Sequence, residues 1–229
     1  MQDQVDAPAA QRVALVAGAT GLVGRAVLAA LLTDKRYSAV HCLSRRAFAL
    51  TDRKLVNHVV DFSAALTLPD SLHIDEVFIA LGTTINVAGS QAAFRAVDFD
   101  AVLAVAKAAR TAGAGKLGVV SAMGANVRSK VFYSRVKGEM EDALRQLGYP
   151  TLIIARPSLL AGDRAALAQS ERLGEKLGLL ATRFLKALIP ANYRAIKAEQ
   201  VAQALIDAMQ SHAGQTRVLL SGEMQQFGH

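Results

Sequence analysis

The chain of 229 residues has no tryptophan and a single cysteine, Cys42. No intramolecular disulfide can form, and a reducing compartment is the expected setting. Aromatic residues make up only 5% of the chain, so Ala, Val and Leu must fill the core. That composition suits helices packed closely on a parallel sheet. No apolar run approaches the roughly 18 uninterrupted residues of a membrane-crossing helix, so no integral membrane segment is expected. Residues 1–11 carry acidic side chains and no apolar h-region, unlike a secretory signal. The cytoplasm is the expected location. His41, His58, His73, His212 and His229 have no ligand spacing, so no metal site is expected. A net charge of +7 admits nucleic acid or an anionic surface as a partner. The Lys and Arg residues are spread along the chain, however, with no zinc-finger spacing and no aromatic-interleaved RNA motif. Nucleic acid is therefore not an expected partner.

At 52% hydrophobic and 20% charged residues, the chain can bury a sizeable core as one unit over 1–229. Short apolar runs at Val13–Ala17, Val40–Leu43, Leu55–Val60, Val77–Leu81, Leu117–Val120 and Leu152–Ala155 read as buried strands. Helical periodicity falls between them, over Leu22–Leu32, about Gln91–Thr111 and about Tyr133–Leu147. This alternation predicts an α/β fold, a doubly wound parallel sheet of the Rossmann kind with right-handed crossovers. After Pro157 the pattern changes to a short, mostly helical region. Ala165–Leu188 is amphipathic and basic and reads as a lid over a cleft, Lys197–Met209 is a further helix, and Val218–Leu220 adds an edge strand. The expected division is a cofactor-binding core over 12–157 with a substrate-side segment over 158–229, integrated with that core.

Polar and glycine residues fall where the strands end: Gly18, Arg45, Asp61, Gly82, Ser121 and Arg156. In an open parallel sheet, ligands bind at the carboxyl ends of the strands. The turn Gly18-Ala19-Thr20-Gly21-Leu22-Val23-Gly24 joins the first strand to the first helix. Glycines there permit a tight turn and let the backbone approach a pyrophosphate, while the helix start offers free N–H groups to it. At the end of the second strand a carboxylate would favour NAD(H). Here stand Ser44, Arg45 and Arg46, whose guanidinium groups suit a 2′-phosphate. NADP(H) is therefore the expected cofactor, with NAD(H) second, and which arginine binds the phosphate is left open.

Tyr133 and Lys137 are spaced one helical turn apart, twelve residues after the strand end at Ser121. A phenol with an unperturbed pKa of about 10 is a poor base at neutral pH, and a nearby ammonium favours its ionised form. Ser121 is the expected orienter of a substrate oxygen, with Tyr133 as proton donor and acceptor and Lys137 as its activator.

GATGLVG, Asp61, LGTT from Leu81 to Thr84, SAMGA from Ser121, YSRVKGEME and ARPSLLAG together resemble the short-chain dehydrogenase/reductases, in their atypical and extended branches. Within that superfamily the segments are most similar to the Tat-interacting-protein-like oxidoreductases. The resemblance covers about residues 12–205. It implies a Rossmann fold with NADP(H), Tyr133 and Lys137 as the active pair, and Ser121 as their partner. It also implies that Asp61, with Phe62 beside it, meets the adenine, that Leu81, Gly82, Thr83 and Thr84 line the cofactor cleft, and that Pro157 and Ser158 lie near the nicotinamide. Two departures stand out. Asp98 occupies the place where extended members often carry Asn, and Ala122 occupies one of two serine places.

Asp98 and Asp100 precede an apolar helical run and read as solvated helix surface. Arg156, at the edge of the cofactor site, reads as structural, and Cys42 as a buried thiol. The expected activity is NADP(H)-dependent oxidation or reduction of a small carbonyl or alcohol substrate. The alternatives are an NADP(H)-sensing regulatory or scaffold protein with little catalysis, or a sugar-nucleotide epimerase or dehydratase-like enzyme. The last needs more chain after Pro157 than is present. Homodimer formation is left open.

Overall fold

The computed structural model describes residues 11–47, 49–64, 66–161, 190–212 and 214–227. The amphipathic stretch Ala165–Leu188, and with it the expected lid, lies outside the described residues.

Nine strands and seven α-helices are described, in the order β1 (Arg12–Ala17), α1 (Leu22–Thr33), β2 (Tyr37–Ser44), β3 (Leu55–Val59), β4 (Glu76–Ile79), α2 (Ile85–Ala88), α3 (Gln91–Arg95), α4 (Val102–Thr111), β5 (Lys116–Val120), α5 (Phe132–Arg145), β6 (Thr151–Arg156), β7 (Leu160–Ala161), β8 (Ile196–Lys197), α6 (Ala198–Ser211), β9 (Gln215–Leu220) and α7 (Ser221–Met224). Seven strands form one parallel sheet in the order β3-β2-β1-β4-β5-β6-β9. The order reverses between β1 and β4, and the crevice where ligands bind in such sheets opens there.

Alternation along the strands sends successive side chains to opposite faces. Ala14 and Val16 of β1, Phe78 of β4 and Ile153 of β6 pack with Val23, Val27 and Leu31 of α1 and Val201, Leu205 and Met209 of α6. Leu15 and Ala17, Val77 and Ile79, and Leu117 and Val119 face the other way, against Val102 and Val105 of α4 and Met140 and Leu144 of α5. Both faces of the sheet are thereby covered, as a parallel sheet requires.

β2 begins three residues earlier than its apolar run predicts, because Tyr37 is buried and pairs with Arg12. The hydroxyl of Tyr37 donates to Glu76 at 2.6 Å, and Glu76, 1% exposed, also meets Arg12 at 3.1 Å and Lys116 at 3.7 Å. This buried polar cluster ties together the amino ends of four strands. On β2 and β3, His41 Nδ1 and His58 Nε2 lie 2.8 Å apart with stacked rings, a contact their wide separation in sequence hid. Burial lowers the pKa of both imidazoles, and His58 depresses His41 further. Cys42 is fully buried, as expected, and burial pushes its thiol up to about 12.

The helix expected over Gln91–Thr111 has the predicted extent but not one register. A six-residue π-helical segment, Ala96–Ala101, separates α3 from α4. Such segments occur mainly as local expansions of an α-helix, often at functional sites.

Candidate cofactor and catalytic site

The turn after β1 is built by its glycines. Gly18 has φ +91°, and a Cβ there would meet the Ala80 carbonyl oxygen at 2.5 Å. A Cβ on Gly24 would meet the Gly18 carbonyl oxygen at 2.0 Å. The turn is thus pressed against the end of β4, and α1 against the turn, at the point where the strand order reverses. Gly21 is the N-cap of α1 and supplies no side-chain cap, while its own N–H goes to Gly18 O at 3.0 Å. The first N–H groups of α1 are therefore available to an anion, which is how an uncapped helix start accommodates a phosphate. These features fit a dinucleotide.

At the end of β2, Ser44 Oγ lies 2.8 Å from both Arg46 O and Asn57 Oδ1, so its hydroxyl serves the strand end. Arg45 and Arg46 are exposed and form no ion pair among the described residues. Asp61 is exposed and its carboxylate accepts from the Ser63 N–H and hydroxyl, which hold its pKa below the ordinary value. Phe62 and Leu81 pack on the core beside α4. Thr84 caps α2 by accepting from the Val87 N–H at 3.2 Å.

Tyr133 lies in the first turn of α5 with its ring 5.4 Å from that of Phe94, which is fully buried. Its hydroxyl makes no hydrogen bond among the described residues. One turn on, Lys137 is 3% exposed, and its Nζ lies 2.7 Å from Asp98 Oδ1. Burial works against the ammonium, but Asp98, and after it Tyr133, outweigh that effect and raise its pKa. The other Asp98 oxygen accepts the Thr83 N–H at 2.8 Å. Gly82 covers the pair so closely that a Cβ there would lie 3.4 Å from Asp98 Oδ1. Asp98 is thus not solvated surface; it is completely buried. The expectation failed because it weighed the charge of Asp98 and not its place one turn after the buried Phe94, while Asp100 two residues later is exposed. A signal was present in the periodicity, since Asp98 falls in the buried stripe of Phe94, Val102 and Val105.

Ser121 sits at the end of β5, as expected, and its hydroxyl meets a carboxylate. It donates to Glu141 Oε1 at 2.5 Å and is 5% exposed. Glu141 itself is fully buried and takes two hydrogen bonds from Arg156, at 2.9 and 2.6 Å, with Arg145 at 3.3 Å. Arg156 is thus held by Glu141, which raises its pKa by hydrogen bonding, against the cost of burial. Glu141 was not singled out from sequence, although it follows Tyr133 and Lys137 on the same helix face. Ser158 donates to Arg194 O and shares a 2.8 Å contact with Ser221 Oγ. Pro157 accepts the Met123 N–H through its carbonyl at 2.9 Å, joining the ends of β5 and β6 beside the site.

Residues 14–188 match the NAD dependent epimerase/dehydratase family. "Protein fmp52, mitochondrial" of Emericella nidulans is 39% identical over 159 residues, covering 66% of this chain and 68% of its own. The protein of the same name from Aspergillus fumigatus is 33% identical over 209 residues, 86% of each chain. Among solved structures, the Bordetella bronchiseptica enzyme WbmG in complex with NAD shares the fold at a TM-score of 0.68, with 16% identity, over 96% of this chain and 76% of that one. The broad resemblance to the short-chain dehydrogenase/reductases is borne out by the family match and the fold; the narrower likeness to the Tat-interacting-protein-like branch is not part of what these matches show. The cytoplasmic expectation is overturned, because relatives with 35 to 39% identity are named mitochondrial. A reducing setting and the lack of a secretory h-region fit both compartments, so composition could not separate them. No helix among the described residues is long and apolar enough to cross a membrane.

Proposed function

This chain belongs to the NAD dependent epimerase/dehydratase family, and we propose that within it the protein is an NADP(H)-dependent oxidoreductase acting on a small carbonyl or alcohol substrate. The observation that carries the reading is the half-buried Tyr133, its hydroxyl unengaged among the described residues, one turn from a buried, charged Lys137 at the carboxyl edge of the sheet. The turn Gly18–Gly24 and the start of α1 would hold the pyrophosphate, with Asp61 and Phe62 toward the adenine and Leu81 to Thr84 along the cleft. Arg45 and Arg46, free of carboxylate partners among the described residues, suit the 2′-phosphate. When bound, the nicotinamide supplies hydride transfer, which no side chain provides. Tyr133 gives its phenolic proton to the substrate oxygen in reduction and takes it back in oxidation. Lys137 holds positive charge close to Tyr133, and Gly82 and Thr83 close the floor of the site.

Tyr133→Phe abolishes turnover while NADPH affinity, read by calorimetry, stays within about twofold of the wild type. Unchanged turnover in this variant overturns the reading. Arg45→Ala or Arg46→Ala costs NADPH about tenfold in affinity or more, the worth of one charge-assisted contact, and leaves NADH nearly unchanged. Equal affinity of the wild type for the two cofactors removes the NADP(H) assignment.

A second reading, a cofactor-responsive protein with little turnover, is favoured by one observation. The Ser121 hydroxyl belongs to Glu141, and the neighbouring position is Ala122, so neither offers a hydroxyl to orient a substrate oxygen. Tight NADPH binding without oxidation across a broad panel of carbonyls selects this reading.

A further inference from the structure

Asp98 does more than fill a place in the core. The π segment Ala96–Ala101 interrupts an otherwise continuous helix, and one of the two residues buried in it, Asp98, is a carboxylate in contact with two other elements. One oxygen meets Lys137 of α5 and the other takes the backbone N–H of Thr83 from the segment after β4. A buried ion pair is weak evidence for stability, because both charges give up water. Its position is more telling than its strength. A cation next to a phenol favours the phenolate only so far as its own charge is unmet.

Among the other charges around Lys137, Glu141 also favours the ammonium, but less than Asp98 does. Glu141, one turn further along α5, is already met by Arg156 and Arg145. Ser121 and Arg156, from the ends of β5 and β6, face Glu141. The segment after β4 contributes only the backbone of Gly82 and Thr83. Asp100 is exposed on the far side of the π turn. Among the described residues, that leaves Asp98 as the principal countercharge of Lys137 and Tyr133 as the neighbouring acid.

We propose that Asp98 is a positioning residue that sets the pH window in which Tyr133 exchanges its proton, by cancelling the charge of Lys137, while tying the Gly82–Thr83 backbone to the same ion pair. The inference rests on Tyr133 being the acid–base group. The carboxylate raises the midpoint of the phenol: with it in place the ammonium is shared, and without it the ammonium acts on Tyr133 alone.

The chain is suited to a direct test. It has no tryptophan and four tyrosines. Burial pushes Tyr37 and Tyr149 well above the ordinary phenol range, and the difference from Tyr133→Phe isolates the Tyr133 contribution to the near-ultraviolet tyrosinate band. The measurement is the pH midpoint of the Tyr133 tyrosinate signal in the full chain, without cofactor. Asp98→Asn moves that midpoint lower by about one pH unit or more, while Asp98→Glu, which keeps the charge, leaves it near that of the wild type. An unmoved midpoint in Asp98→Asn, or an equal shift in Asp98→Glu, overturns the proposal. Circular dichroism and melting establish that each variant folds. Should Asp98→Asn not fold, Asp98→Ser carries the same expectation, since its hydroxyl can also accept from Thr83. Failure of both to fold beside a folded Asp98→Glu overturns the proposal in favour of a purely structural charge. Where turnover is measurable, the pH profile of kcat/KM shifts in the same direction as the tyrosinate signal. A tyrosinate shift with no turnover in any variant upholds the role of Asp98 and defeats the oxidoreductase reading, so the two fail separately.

Discussion

Gly24→Ala tests the link between the glycine turn and the sheet more sharply than any other single substitution. The added Cβ would lie 2.0 Å from Gly18 O, 2.6 Å from Gly18 C and 3.0 Å from Ala19 N. All three are backbone atoms of the same turn, so no side chain can rotate aside. Relief requires α1 to move outward by about 1 Å or more, since ordinary contact begins near 3.4 Å. That helix buries Val23, Val27, Leu28 and Leu31 against the sheet and α6, and the motion loosens this packing. Overpacking against an unyielding wall falls at the upper end of its usual range, about 3 kcal/mol. In urea, with a slope of about 2–3 kcal/mol/M, this lowers the unfolding midpoint by roughly 1 M. The same motion carries the N–H groups at the start of α1 away from their anion, so NADPH affinity falls about tenfold or more. Gly21→Ala is the control. Its Cβ would touch Gly18 O only at 3.4 Å, and φ is −81°, so its stability changes by about 1 kcal/mol or less. A Gly24→Ala chain that unfolds at the wild-type urea concentration and binds NADPH normally would refute both the packing argument and the placement of the phosphate site.

Glu76→Ala removes the acceptor shared by Tyr37, Arg12 and Lys116 at the amino ends of the strands, far from the proposed site. Because Arg12 and Lys116 keep partial access to water, the cost is about 3 kcal/mol, or a fall in Tm of very roughly 6–12 °C, with cofactor affinity unaltered. A Tm within about 2 °C of the wild type contradicts the role given to this cluster. The His41–His58 pair gives a pH dependence with a definite sign. Both folded pKa values lie below the ordinary 6.5, so the unfolded chain binds protons first. The contribution to stability is complete above pH 6.5 and is lost as pH falls through the lower folded values. Urea midpoints measured from pH 7.5 down to 5 should fall more steeply for the wild type than for His58→Gln; parallel curves count against the assignment.

The order and kind of the elements could be read from the chain because parallel strands covered on both faces appear as unbroken apolar runs, and Val13–Ala17 or Leu152–Ala155 needed no partner to be recognised. Strand β2 shows the limit. Tyr37 and Ser38 belong to it through pairing and through the contact of Tyr37 with Glu76, neither of which leaves a local pattern. The glycine turn and the Tyr133–Lys137 spacing were legible for the same local reason: both are short-range features whose geometry is set within a few residues. Asp98, Glu141 and Ser121 were not. Each has a partner on another element, so reading Asp98 as solvated surface assigned it the environment its immediate neighbours suggest. The apolar period did place Asp98 in the buried stripe, and that was the available clue.

By itself, then, the amino-acid order determined the alternation of strands and helices, the crevice side of the sheet and the glycine turn that begins it, because periodicity and backbone sterics act over a few residues. Tertiary structure decided which charges meet. Asp98, in the π segment Ala96–Ala101, meets Lys137, the converging ends of β5 and β6 give Ser121 and Arg156 to Glu141, and among the described residues the Tyr133 hydroxyl has no partner. In a buried site the free energy of a charge depends on its partner and its access to water, and both are set by elements far apart along the chain.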